Sequence, residues 1–437
     1  MKNQISDLYS TYGKYINKYR AFPFMYDGLK IVERRLLYSL YERSKDNKFV
    51  KSAEVIGWVI GQYHPHGDQS AYGTLAALVN GGMAVGQGNW GAYSGIVPCD
   101  PAAMRYTEVK NSKFILDMAF EFIKYVRKEA LEIKEEPLFL PTKLPLCLVN
   151  TKYCQGIGFG SRTIIPSYHV PDLVKRLRWL LGYEKKEPVI KPITDCKYLS
   201  STKDFQELLT TGKAKLDYIG ISETDYSSKS IIVKSIPPSK SFSKILKAME
   251  KDIQVQKTIG FIDESTGVTR VRFTSLKRSL RLDILAKKVN AQLRGSITFE
   301  CNMCDREGNV VLVSIDDMLL NVYKNYEQIV QSVLTTNINK TQEEIDELIL
   351  IGKIKKALPK WLREHPDDPD KVINGVSVDT QIDKEKVIEL FGKYTITRIL
   401  KIKTDIVVLE TKKAEFQANL DNLATFVWDS KFDALLS

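Results

Sequence analysis

Apolar residues recur along this chain at two spacings, helical in its first and last parts and alternating in the middle, and that division sets its organisation. Ile5, Leu8, Tyr9, Tyr12, Tyr15 and Ile16 predict a helix over residues 5 to 20, ending before Pro23. Leu29, Val32, Leu36, Leu37 and Leu40 keep the helical period, and Asp27 stands where it can cap that helix. Lys30, Arg34 and Arg35 then fall on or beside its other face, as a basic surface. A run from Lys51, KSAEVIGWVIGQYH, is interrupted by Pro65 and Gly67, and a third helix, DQSAYGTLAALVN, starts with Asp68 as its N-cap. Helix, tight turn, helix is the outline of a helix-turn-helix, whose second helix characteristically enters a DNA groove. Its first turn carries the short polar residues Gln69 and Ser70, and its free amides face outward for an anion.

Beyond the Pro-punctuated link EEPLFLPTKLP, runs such as SIIVKSI, KTIGFID, TRVRFTS, SITFECNM and NVVLVSI read as strands, separated by short helices such as VPDLVKRLRWLLG. An α+β domain over residues 146–320 follows. From Asp316 the pattern is helical again. Leu409, Phe416, Leu420, Leu423 and Val427 step by sevens, fours and threes, the seam of a coiled coil, with the earlier helix as antiparallel partner and a compact helical tip between them. The expected organisation is a helical arm (1–20), a helix-turn-helix domain (21–145), an α+β domain (146–320) and a coiled coil with its tip (321–437).

Composition adds limits. The chain has 437 residues, ample for several cores, and 43% are hydrophobic. No run approaches the roughly 20 apolar residues of a membrane span, and MKNQISDLYSTYGKY lacks the apolar core of a signal peptide, so the expected location is the cytoplasm. Six scattered cysteines do not form a disulfide framework, and the CxxC of Cys301 and Cys304 has no second pair to complete a zinc site. A net charge of +11 favours a polyanionic partner.

Three short stretches carry candidate chemistry. His64 and His66 flank the turn in YHPHGD and can touch phosphate or assist proton transfer; as HxH they suit zinc, but no Cys or carboxylate at suitable spacing completes a set. Six glycines lie between positions 81 and 95, in a stretch that lacks the GK[ST] of a phosphate-cradling loop and reads as a loop or short hairpin. It leads to PAAMRYTEVK, where Arg105 precedes Tyr106. Taken together, the three suggest a tyrosine placed to attack a DNA phosphate.

RAFPFMYDGLKIVERRLLYSL, YHPHGD, GQGNWG and AAMRYTE, in this order and spacing, resemble the DNA-cleaving winged-helix domain of type IIA topoisomerases, the A subunit of gyrase. FLPTKLPLCLVN, GIGFGSRTIIP, IIVKSIPP and FECNMCDREGNVV resemble the segments that follow. The resemblance implies a winged-helix cleavage domain, a tower domain and a coiled coil whose tip dimerises. It implies Tyr106 as nucleophile and Arg105 as phosphate clamp, since a guanidinium binds phosphate oxygens in bidentate fashion. It implies DNA contacts by Arg20, Lys30, Arg34, Arg35, His64, His66, Gln69 and Ser70, and a DNA-intercalating wedge at Ile165. Double-stranded DNA and a second copy of the chain are the implied partners. Mg²⁺ and ATP belong in the family to Toprim and ATPase segments; no EGDSA-like segment or GxxxxGK[ST] is present, so both are expected on a partner subunit. Gln69 stands where gyrase-like sequences commonly show Ser, which puts gyrase-like drug sensitivity in doubt. A length short of gyrase's wrapping domain resembles the medium subunit of T-even-like bacteriophage enzymes. Two other readings of the residues are a tyrosine recombinase or nuclease, which would want its own Arg and His constellation, and a winged-helix architectural protein that binds DNA without forming an adduct.

Overall fold

The computed structural model describes residues 2–91, 99–150, 153–250, 259–276, 281–403 and 405–435. It divides into two compact units, one formed by the residues up to Tyr326 together with those from Lys431, the other by Glu327–Ser430.

The first unit opens with α1 (Lys2–Ile16), which widens into a π-helical turn, Asn17–Ala21, before Pro23 ends it. Next come α2 (Ile31–Arg43), α3 (Ser52–Gln62) and α4 (Asp68–Asn80). They pack through Leu36, Leu37 and Leu40 of α2, Val55, Ile56 and Val59 of α3, and Ala71, Leu75 and Leu78 of α4, all buried. Beside them lies a three-stranded antiparallel sheet of β1 (Val50–Lys51), β2 (Ala84–Gln87) and β3 (Glu108–Asn111), with β3 in the middle. Val50 pairs with Val109, and Ala84 with Asn111. The glycine-rich stretch thus yields strand β2 and a loop described as far as Gly91; residues 92–95 of the expected hairpin lie outside the described residues.

Asp27 is not the cap of α2. The N-cap is Lys30, three residues later, and its amide donates to the Glu33 carboxylate at 2.8 Å. Gly28 between them has a φ of +74°, and a Cβ there would come within 2.8 Å of the Leu146 amide nitrogen, so only glycine fits this turn. Asp68 is likewise the first residue of α4 rather than its cap; its carboxylate accepts from the Gln69 amide at 2.9 Å.

The middle of the chain is α+β, as the alternating pattern predicts. A five-stranded antiparallel sheet runs, in spatial order, Cys154–Ile157, Arg162–Ile165, Arg294–Glu300, Lys213–Ile219 and Lys197–Tyr198. A four-stranded one runs Ser222–Asp225, Ser230–Val233, Val271–Ser275 and Ile259–Asp263, and its apolar face packs on helices Phe242–Glu250 and Leu282–Gln292 through Ile231, Phe273, Ile245 and Leu285. Lys257 and Thr258 of KTIGFID lie outside the described residues. Cys301 and Cys304 are both buried, and burial pushes both thiols up, Cys304 to about 12.

Helix Ile315–Glu364 is continuous over 50 residues. In the second unit it meets helix Val407–Asp421, where Leu409, Phe416 and Leu420 are half-buried and Lys413 bonds Gln342. Helices Pro369–Thr380, Lys384–Lys393 and Ile396–Lys401 form the expected tip around a core of Ile354, Leu358, Val376, Leu390 and Ile399. Gly375 packs flat on Trp361; a Cβ there would lie 2.2 Å from the indole.

Candidate DNA-cleavage site

Tyr106 lies two residues ahead of the central strand β3 and is 65% exposed. Its amide donates to the Ala103 carbonyl at 2.9 Å, making a tight turn that throws the side chain outward. Thr107, the next residue, has no exposed surface. The exposed Arg105 guanidinium sits 4.5 Å from the Tyr106 ring centroid, a cation–π contact that keeps a fixed positive charge beside the phenol. A guanidinium can bind phosphate oxygens in bidentate fashion.

The HPHGD turn brings in a second group. His66 Nδ1 is 3.4 Å from Arg20, and its Nε2 is 3.7 Å from Glu132, which also accepts from the Tyr15 hydroxyl at 3.1 Å. Arg20, from the end of the helical arm, and His66 are therefore adjacent, and both keep some exposed surface. Gln69 and Ser70 are exposed on the first turn of α4. Lys30 is half-buried and its Nζ donates to the Gln155 carbonyl at 2.7 Å.

Four expected DNA contacts are corrected. Arg34 and Arg35 are 3% and 1% exposed. Arg34 grips Asp27 through Nε (2.6 Å) and Nη2 (3.0 Å). Arg35 binds Glu136 with Nε and Nη2, and its Nη1 reaches both Glu132 and His64. The apolar period located the buried stripe of α2, but the helix is enclosed on its arginine side too, and buried cations persist only with such partners. His64 is also buried; desolvation first, then the charges of Arg35 and His66, lower its pKa to about 4. It is a neutral acceptor for Arg35 and no cationic phosphate ligand. Ile165 has no exposed surface, because the pleat of Arg162–Ile165 turns Thr163 and Ile165 to the buried face. A wedge needs exposed surface to insert, and Ile165 shows none here.

The sequence also missed a carboxylate. His64, His66 and Glu132 offer ligand atoms within 4.8 Å of one another, with Glu132 arriving from 66 residues beyond His66, too far for any spacing rule. Yet Arg35 Nη1 bonds both His64 and Glu132, so a guanidinium already occupies the centre of that cluster. Burial opposes ionisation of Glu132, but its bonds to Arg35 and then Tyr15 outweigh it and hold the carboxyl below its usual value. A divalent cation would face Arg35 head-on, and Mg²⁺ in particular prefers oxygen ligands. The cluster does not fit a metal; it fixes His66 and the arm instead.

A family model that describes the A subunit of DNA gyrase/topoisomerase IV matches residues 20–431. The chain belongs to that family. Among curated relatives, the A subunit of DNA topoisomerase 4 from Staphylococcus aureus (strain N315) is 28% identical over 100% of this chain and 57% of its own length. The A subunit of DNA gyrase from Brachyspira hyodysenteriae is 30% identical over 54% of this chain and 30% of its own length. This member of the gyrase/topoisomerase IV family thus spans little more than half of the relative it matches from end to end. No helix among its described residues is long and apolar enough to cross a membrane.

Proposed function

We propose that this chain is the DNA breakage–reunion subunit of an ATP-dependent type II DNA topoisomerase, working as a homodimer with a second kind of subunit. Its substrate is double-stranded DNA. Tyr106 attacks a backbone phosphorus: the bond from phosphorus to the phenolic oxygen forms as the bond to O3′ breaks. The proton leaving the phenol is matched by one taken up at the 3′ hydroxyl. The product is a 5′-phosphotyrosyl link, and because one phosphodiester replaces another the step reverses without ATP. Arg105 binds the non-bridging oxygens whose charge concentrates in the transition state. Arg20, His66, Gln69 and Ser70 bind the duplex beside it. Two copies related by a two-fold axis place two tyrosines on opposite strands, giving a double-strand gate through which another duplex passes, so that DNA is relaxed and decatenated.

The observation that carries this reading is an exposed tyrosine, 65% accessible beside an exposed arginine, held at the edge of a central strand in a chain of this family. Mg²⁺ and ATP are assigned to the partner subunit, and no step within this chain is routed through either. Dimerisation through the tip has support in its exposed apolar residues, Val378 (75%), Ile388 (48%) and Ile396 (40%). The domain assignment follows the same reading: winged helix to residue 145, tower to 320, coiled coil and exit gate beyond.

The test is to mix the chain with a candidate ATPase/Toprim subunit, Mg²⁺ and supercoiled plasmid, stop with detergent, and look for protein-linked linear DNA. Tyr106→Phe is expected to abolish the adduct while leaving DNA affinity within a few-fold. Adduct formation by that variant would refute the assignment. DNA binding with no adduct from the unaltered chain would favour an architectural protein.

A further inference from the structure

The nucleophile loop is held by a side chain that is not part of the proposed chemistry. Tyr72 lies on α4 and is 6% exposed, packed against Trp90 with ring centroids 5.8 Å apart. Its hydroxyl donates to the Ala102 carbonyl at 2.6 Å and lies 2.9 Å from Thr107 Oγ1. Those two residues bracket Tyr106, one four positions before it and one directly after. Thr107 Oγ1 also hydrogen-bonds Ser52 Oγ at 2.8 Å, and the Ser52 amide at the start of α3 donates to the Thr107 carbonyl at 3.0 Å. On the other side, the Ala102 amide donates to the Asn89 carbonyl at 2.9 Å. The ends of the segment 102–107 are thereby pinned to α3, α4 and the loop after β2, and only the turn carrying Arg105 and Tyr106 stands out.

We infer that Tyr72 is a positioning residue for the strand-cleavage step: one hydroxyl on α4 spans both ends of the loop and sets where the Tyr106 oxygen lies relative to DNA. This rests on the reading of Tyr106 as nucleophile. The physical reason is that α4 also presents Gln69 and Ser70, one turn or less from Tyr72. The helix proposed to lie on the duplex therefore carries the anchor of the attacking group, and the phosphate and the phenol share one rigid frame. Loss of sub-ångström placement costs rate far more than affinity.

Tyr72→Phe removes the hydroxyl and keeps the ring. With the full chain, Mg²⁺ and the partner subunit on a nicked duplex that traps the cleaved product, the single-turnover cleavage rate is expected to fall about three- to tenfold, as for loss of one buried hydrogen bond. DNA affinity, its salt dependence and the KM for DNA should stay within twofold. Thr107→Val, which deletes the other end of the contact, should fall similarly, and Thr107→Ser, which keeps the hydroxyl, should cleave like the unaltered chain. If Tyr72→Phe fails to fold, the Val and Ser pair decides the matter alone. An unchanged cleavage rate in Tyr72→Phe, or a fall in affinity equal to the fall in rate, overturns the inference while leaving Tyr106 as nucleophile. Absence of any adduct from the unaltered chain overturns both.

Discussion

Arg34 offers the sharpest separation between a DNA contact and a structural one. Asp27 has no exposed surface and accepts four bonds: from the amides of Leu29 and Leu140, each at 3.0 Å, and from Arg34 Nε and Nη2 at 2.6 and 3.0 Å. Arg34→Met keeps much of the volume but leaves a buried carboxylate with two neutral donors and no cation. Breaking one partner of a buried pair costs about 3–5 kcal/mol. A melting entropy of about 2 cal/mol/K per residue over a unit of about 330 residues converts this to a drop of about 4–7 °C in Tm. Differential scanning calorimetry reads that drop, and fluorescence anisotropy on a short duplex from 50 to 300 mM salt, run well below the transition, reads the DNA side. The slope of log affinity against log salt should be unchanged, whereas a lost phosphate contact would shallow it by about one. Asp27→Asn combined with Arg34→Met should recover part of the stability, because no charge is left buried. A shallower slope with an unchanged Tm would refute the burial argument and restore Arg34 to the DNA-binding surface.

Arg20→Ala, by contrast, is expected to shallow the salt slope by about one and to leave Tm nearly unchanged, both in the same two assays. His64 sets a pH dependence: with a folded pKa of about 4 against 6.5 ordinarily, the unfolded chain binds the extra proton between those values. Stability is therefore present above about pH 6.5 and is lost as pH falls towards 4, by up to about 3 kcal/mol; His64→Gln should flatten urea midpoints across that window. Gly375→Ala forces a methyl into the Trp361 indole, and overpacking of this kind costs about 1–3 kcal/mol. A lower-melting tip with an unchanged first unit, resolved by hydrogen exchange, is the expected result.

What could be read ahead of the structure follows from the range of the physics involved. Periodicity and turn chemistry act over a few residues, so α2, α3, α4, the alternating middle region and the tip were all visible in apolar spacing. The exposed Tyr106 and the first turn of α4 came with the ordered motifs. What failed was whatever depends on partners far along the chain. Arg35 looked like a solvated cation because Glu136, 101 positions away, cannot be paired with it by any local rule. His64 and His66 looked short of a carboxylate for the same reason, and once Glu132 is found, Arg35 comes with it and turns a metal set into an ion-pair network. Ile165 was implied by its place in the motif, and motif order does not carry the pleat, which turns this residue to the buried face of its strand. The bracket around Tyr106 was equally invisible, since Ser52, Tyr72 and Thr107 are ordinary residues until three elements bring their hydroxyls together, Tyr72 to Thr107 at 2.9 Å and Thr107 to Ser52 at 2.8 Å. These misses share a consequence for function. Arg35, taken from the expected DNA surface, becomes through Glu132 part of the framework that fixes His66 and the arm, while Arg105 stays exposed beside Tyr106 and Arg20 stays exposed beside His66.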